Sequence, residues 1–150
     1  MTPIKVLSVR QPWAYLIANG IKTIENRDWT ANYRGLVLIH AGKEKDLSCF
    51  LREFGGTGST LDPRIEWTRD DRIPQWDYQY EYGGIVGIAR LVDAVTESKS
   101  PWFRGKYGWV FDKARPLPLI PCKGNPLLLD APADIVERVK AACARERGAA

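Results

Sequence analysis

The sequence predicts a mainly β, α+β domain: a small, mostly antiparallel barrel of about five or six strands with about three helices packed outside. Three observations predict it. Short apolar runs of strand type recur along the whole chain. Regular helices do not separate them, which argues against a doubly wound parallel sheet. The 150 residues are 45% hydrophobic and 27% charged, and a chain of this size buries roughly 70% of its unfolded surface, enough for one core.

The elements follow in order. Ile4 to Val9 alternates apolar and polar residues and reads as a strand. Pro12 then opens a short helix that stops at Gly20, with Trp13, Leu16 and Ile17 on one face. The stretch Ile21 to Arg27 is extended or hairpin-like, and Leu36 to Ala41 forms a second strand core. Leu47, Phe50, Leu51 and Phe54 recur at helical spacing and predict a helix over Lys43 to Phe54. Residues 55–82 lack a period and read as an irregular insertion. Its GGTGST start lacks the Lys-Ser/Thr ending of a phosphate loop. Gly84 to Val95 is a long strand whose Gly84 and Gly87 mark a bulge or bend. Tyr107 to Phe111 is another strand, and Leu117 to Asp130 holds two short strands around a Lys123-Gly124-Asn125-Pro126 turn. Pro132 opens a last helix with Ile135, Val136, Val139 and Ala142 as its apolar face. Residues 1–150 are thus expected to form one domain.

Composition narrows the function. No apolar run approaches the roughly 20 residues that span a bilayer. The first residues lack the apolar core of a signal peptide, so a cytoplasmic protein is expected. Cys49, Cys122 and Cys143 are odd in number and far apart, and His40 is the only histidine. Neither a disulfide framework nor a metal site is expected, and no cofactor motif is present. Net charge is +4. Residues 1–45 carry seven basic and three acidic side chains, and residues 99–123 carry six and one. Residues 62–81 between them carry three basic and six acidic groups. Two basic segments on one face would attract phosphate.

Three stretches carry a resemblance: LSVRQPWAYLIANGIKTIENRDW, then YRGLVLIHAGK, then GGIVGIARLVDAV with YGWVF and PLPLIPCKGNPLLL. In this order and spacing the chain resembles the ASCH (activating signal cointegrator homology) domain over nearly its whole length. The resemblance implies a PUA-like β-barrel with a helix crossing a cleft. It also implies a partner class of RNA, single-stranded nucleic acid, or a nucleotide or modified nucleoside.

The residues supply the chemistry such a cleft needs. In an extended strand Thr23, Glu25 and Arg27 share a face, while Lys22 points away unless Gly20 or a bulge turns it inward. Glu25 beside Arg27 reads either as an ion pair that orients the arginine or as an acceptor for a base amino group. The Gln11 amide offers a donor and an acceptor to a base edge. Trp13, Trp29 and Trp102 are stacking candidates, the last lying between Lys99 and Lys106. Lys43, Lys106 and Lys123 are candidate phosphate contacts, and the resemblance puts His40 near the cleft.

Two other functions stay open. Some small ASCH proteins are amidohydrolases of N(4)-acetylcytidine that use a Lys, a Thr and a Glu. Lys22 matches that lysine, but Glu25 stands where their threonine would be, and Thr23 is adjacent. A Lys22–Glu25 pair activating water, or RNA cleavage using His40, is the catalytic alternative. A protein-interaction module using the aromatic, acidic stretch Leu61 to Tyr82 is the other.

Overall fold

The computed structural model describes residues 3–46, 72–74 and 78–148. The elements are β1 (Lys5–Gln11), α1 (Trp13–Ala18), β2 (Ile24–Arg27), β3 (Gly35–Lys45), β4 (Gly84–Val95), β5 (Tyr107–Pro121), β6 (Leu129–Asp130) and α2 (Ala133–Gly148). The strands form one sheet in the order β2-β5-β4-β3-β1-β6. Every neighbouring pair is antiparallel except β1 and β3. The mainly β, α+β expectation therefore holds.

Two parts of the expectation change. The sheet is not closed into a barrel, because β2 and β6 end the ladder and do not pair with each other. Two helices, rather than about three, occur among the described residues. The helix expected over Lys43 to Phe54 begins inside β3, since Lys45 is in register with Gln11 of β1. Its remainder, from residue 47, lies outside the described residues, as does most of the 55–82 insertion.

The two faces of the sheet carry separate apolar clusters. One packs α1 through Ala14, Ile17 and Ala18 on Leu7, Val37, Ile39, Ala89, Leu91 and Trp109. The other packs α2 through Ile135 and Val139 on Leu38, Ile85, Leu117 and Ile120. Full burial of each Val, Leu or Ile among them contributes about 1.5–3 kcal/mol. Val136, placed on the apolar face by its spacing, is only half-buried.

Local chemistry explains the boundaries. α1 stops where expected: Gly20, just past the Asn19 cap, takes φ +72°. β4 runs over the expected residues, and its register shifts between Ile85 and Gly87 against β5. Gly87 lets α1 sit down on β4: a Cβ there would lie 2.4 Å from Ala18 Cβ. The two segments expected on either side of Pro116 form one continuous strand, β5. Only residues 107–110 of β5 also pair with β2, so its later prolines meet no second strand and break no ladder there. The register against β4 shifts between Ile88 and Arg90, opposite Lys113, which takes φ +49°. The Lys123–Pro126 turn does not form a hairpin: β5 ends against Gly84, and β6 crosses to pair with β1.

Candidate functional site

The curled sheet brings β2 back toward β1. Arg27 Nη2 donates to the Ser8 carbonyl at 2.7 Å, so a side chain spans the seam that backbone pairing leaves open. Along this seam lies a cleft of about 1510 Å³. Its walls come from β1, β2, the end of β3, the loop at 101–104 and the loop at 121–126.

Lys22, Glu25 and Arg27 form a buried ion triad at its floor. Lys22 precedes β2, and the turn after α1 swings it inward: the Ile21 and Lys22 N–H groups both donate to Leu16 O. The Lys22 ammonium donates to Ile24 O at 2.5 Å and to Glu25 Oε1 at 2.9 Å, and lies 5.5 Å from the Trp13 ring. Glu25 Oε2 accepts from Arg27 Nη2 at 3.1 Å. Burial alone would raise the Glu25 carboxyl. The Lys22 and Arg27 charges and their hydrogen bonds outweigh burial and hold it below the ordinary glutamate range.

Two tryptophans form an aromatic wall. Trp13 and Trp102 meet edge to face, with centroids 6.4 Å apart. Trp13 Nε1 donates to Asp46 Oδ2 at 2.9 Å. Asn26 clips the opposite loop: its Nδ2 donates to Trp102 O at 2.9 Å, and its Oδ1 accepts from Arg104 N at 2.7 Å. Asn26→Ala is expected to destabilise the protein by about 1–2 kcal/mol and to release the Trp102 loop. Urea unfolding and acrylamide quenching of tryptophan emission check this; unchanged quenching would show that the loop holds without the clip.

His40 is 3% exposed, and both its ring nitrogens are occupied. Cys122 O can only accept, so Nε2 carries a proton toward it at 2.9 Å. Ser8 Oγ accepts from Asn125 N at 2.8 Å and shares a hydrogen bond with His40 Nδ1 at 3.0 Å. Gly124 fits against this chain, since a Cβ there would lie 2.2 Å from Ser8 Oγ. His40 thus ties the 121–126 wall to β1 and β3.

Of the residues singled out by sequence, the cleft gathers Trp13, Lys22, Glu25, Arg27, His40, Lys43, Trp102 and Lys123. Four stand outside its lining. Gln11 is 1% exposed, and its amide is consumed internally: Oε1 accepts from Tyr15 N in the first turn of α1, and Nε2 donates to Glu81 O. Thr23 is exposed, and its carbonyl accepts from Phe111 N in the β2–β5 ladder. Trp29 packs edge-on against Trp109 at 4.6 Å. Lys106 is exposed just before β5. Sequence reasoning passed over Asn26, Asp46 and Ser8. The Asn26 position between Glu25 and Arg27 was the one available signal.

The lining carries six basic side chains (Arg10, Lys22, Arg27, Lys43, Arg104, Lys123) and four acidic ones (Glu25, Asp28, Glu44, Asp46). Glu44 pairs with Arg10 at 3.3 Å. Lys43 and Lys123 are exposed and carry no ion pair among the described residues. No group of three potential metal ligands occurs among the described residues. No described helix is long and apolar enough to cross a membrane.

Comparison with known proteins places the family and the fold. Human activating signal cointegrator 1 is 31% identical over 94 residues, covering 62% of this chain and 15% of that protein. The mouse protein is 27% identical over 133 residues, covering 80% and 21%. This chain therefore spans a small part of those relatives. The crystal structure of an ASCH protein from Zymomonas mobilis aligns with TM-score 0.51 and 12% identity over 93% of this chain and 94% of that one. A tyrosine-to-phenylalanine mutant of it aligns with TM-score 0.52 and 13% identity, over 93% and 98%. At such identity the likeness concerns the fold alone. The family model of the ASCH domain matches residues 7–105, and the chain belongs to the ASCH domain family.

Proposed function

We propose that the seam cleft binds single-stranded RNA or a nucleotide, with the PUA-like arrangement used as a binding surface. The observation that carries this reading is a convergence. Segments remote in sequence put Trp13 and Trp102 in the same open cleft as Arg27, Lys43 and Lys123. A single strand needs a flat ring for its base and a cation for its phosphate, and the cleft lining supplies both. The exposed lysines serve phosphates at the rim, and the tryptophan rings serve a base further in.

Tryptophan emission provides the test. Titration with a short single-stranded RNA is expected to give saturable quenching that weakens with salt. The Lys43→Ala/Lys123→Ala double variant is expected to bind about tenfold more weakly at low salt. Its slope of log affinity against log salt should be shallower by about 1.4, two phosphate contacts on a single strand. An affinity and slope equal to those of the parent protein would remove this cleft from nucleic-acid binding.

A further inference from the structure

Val6 and Leu38 stand side by side on β1 and β3 and pack in the α2 cluster. Two residues further along, the same face presents Ser8 beside His40. This polar pair meets the loop that carries Lys123. The loop leaves β5 with Cys122 N donating to Gly83 O at 3.2 Å. Beyond that bond, its anchors among the described residues converge on the pair. His40 Nε2 donates to Cys122 O at 2.9 Å, and Asn125 N donates to Ser8 Oγ at 2.8 Å. The bond shared by Ser8 Oγ and His40 Nδ1 joins the two anchors into one unit. They bracket Lys123 on both sides along the chain. Lys123, Gly124, Asn125 and Pro126 are all exposed, so little apolar burial holds this stretch in place. Gly124 lies so close that an added Cβ would overlap Ser8 Oγ and the His40 ring. Ser8 also serves the floor, since its carbonyl accepts from Arg27 Nη2 at 2.7 Å. One residue thus links the Arg27 guanidinium to the loop of Lys123.

We propose that Ser8 and His40 are positioning residues for phosphate capture: they pin the 122–125 rim so that Lys123 is held ready for a phosphate of the bound strand. This rests on the nucleic-acid reading of the cleft. Packing alone does not call for the pair, because an apolar couple, Val6 and Leu38, fills the same face one step earlier. A buried imidazole costs desolvation unless its hydrogen bonds are made. Here one of those bonds goes to the loop, and the other goes to the hydroxyl that holds the loop. What the loop gains is a fixed main-chain course around Lys123. A lysine on a free loop must order the loop as well as itself when it meets a phosphate. On a pinned loop only the side chain is ordered.

Affinity for a labelled single-stranded RNA oligomer tests this through a double-variant cycle. Gly124 has no positive φ, so its main chain accepts alanine and Gly124→Ala acts only by pushing the loop off the pair. Gly124→Ala and Ser8→Ala are each expected to weaken binding about threefold, the low end of the cost of ordering an interface loop or side chain. In the Lys123→Ala background the same changes are expected to alter affinity by less than about 1.5-fold, because the lysine they position is gone. Thermal midpoints check folding. If Ser8→Ala is unfolded at the assay temperature, Gly124→Ala on the exposed loop decides alone. Parental affinity in Gly124→Ala and Ser8→Ala, beside weakened binding in Lys123→Ala, overturns the positioning role. So does a threefold loss that persists undiminished without Lys123, or a Lys123→Ala protein that binds like the parent. Nucleic-acid binding stands in each of those cases. If the oligomer does not bind the parent protein at all, both readings fall.

Discussion

Glu25→Ala is expected to destabilise the protein by about 3–5 kcal/mol, the range for removing one partner of a buried ion pair. The reason is what stays behind. Lys22 is 4% exposed, so its ammonium would remain buried with only Ile24 O for a strong acceptor. Arg27 would keep its bond to Ser8 O and lose the carboxylate beside it. Glu25→Gln keeps shape and one acceptor, so it should lose less. Acid titration adds a second readout. The folded Glu25 carboxyl lies below its ordinary value of 4.5. The stability it contributes is therefore fully present above about pH 4.5 and is lost as pH falls through the lower folded value. Urea unfolding of parent and Glu25→Gln proteins between pH 3 and pH 7 should show the parent losing more on acidification. Parallel curves would mean that the triad does not stabilise the fold.

Gly87→Ala is expected to cost about 3 kcal/mol, the upper range for overpacking a rigid site. Its Cβ would meet Ala18 Cβ at 2.4 Å, Arg115 O at 2.9 Å and Ala18 Cα at 3.1 Å. These are backbone atoms or a side chain with nowhere to turn, so α1 must lift from β4. Trp13 rides on α1 and faces Trp102, so the change should also shift tryptophan emission. A urea midpoint unchanged from the parent's would show that α1 can move without penalty.

Strands and helix ends were legible because local rules govern them. β4 falls on its expected residues, and Gly20 ends α1 with the positive φ such a stop requires. The long β5 was not legible, because Pro116 and Pro118 look like breaks until it is known that β5 has no second neighbour there. The open sheet was not legible either, since closure depends on where β2 lands relative to β1. At the site, strand alternation put Glu25 and Arg27 on one face but left open whether they pair, and it left the direction of Lys22 open, because the bonds of Ile21 N and Lys22 N to Leu16 O that turn it inward carry no sequence signal. Gln11 was misread because an amide suited to a base edge also suits a helix first turn, and only Tyr15 N decides between them. Asn26 was overlooked because its partners, Trp102 O and Arg104 N, are more than 70 positions away.

β6 has a consequence for the order of folding. Its two residues bind the N-terminal strand, with Lys5 and Asp130 joined across 125 positions. Closing so long a loop is entropically costly and is repaid only when the intervening strands are already in place. The loop that precedes β6 also supplies Lys123, Gly124 and Asn125 to the cleft. Trp13 and Trp102, which form the aromatic wall, therefore precede in synthesis the residues 123–125 that complete the opposite rim of the cleft.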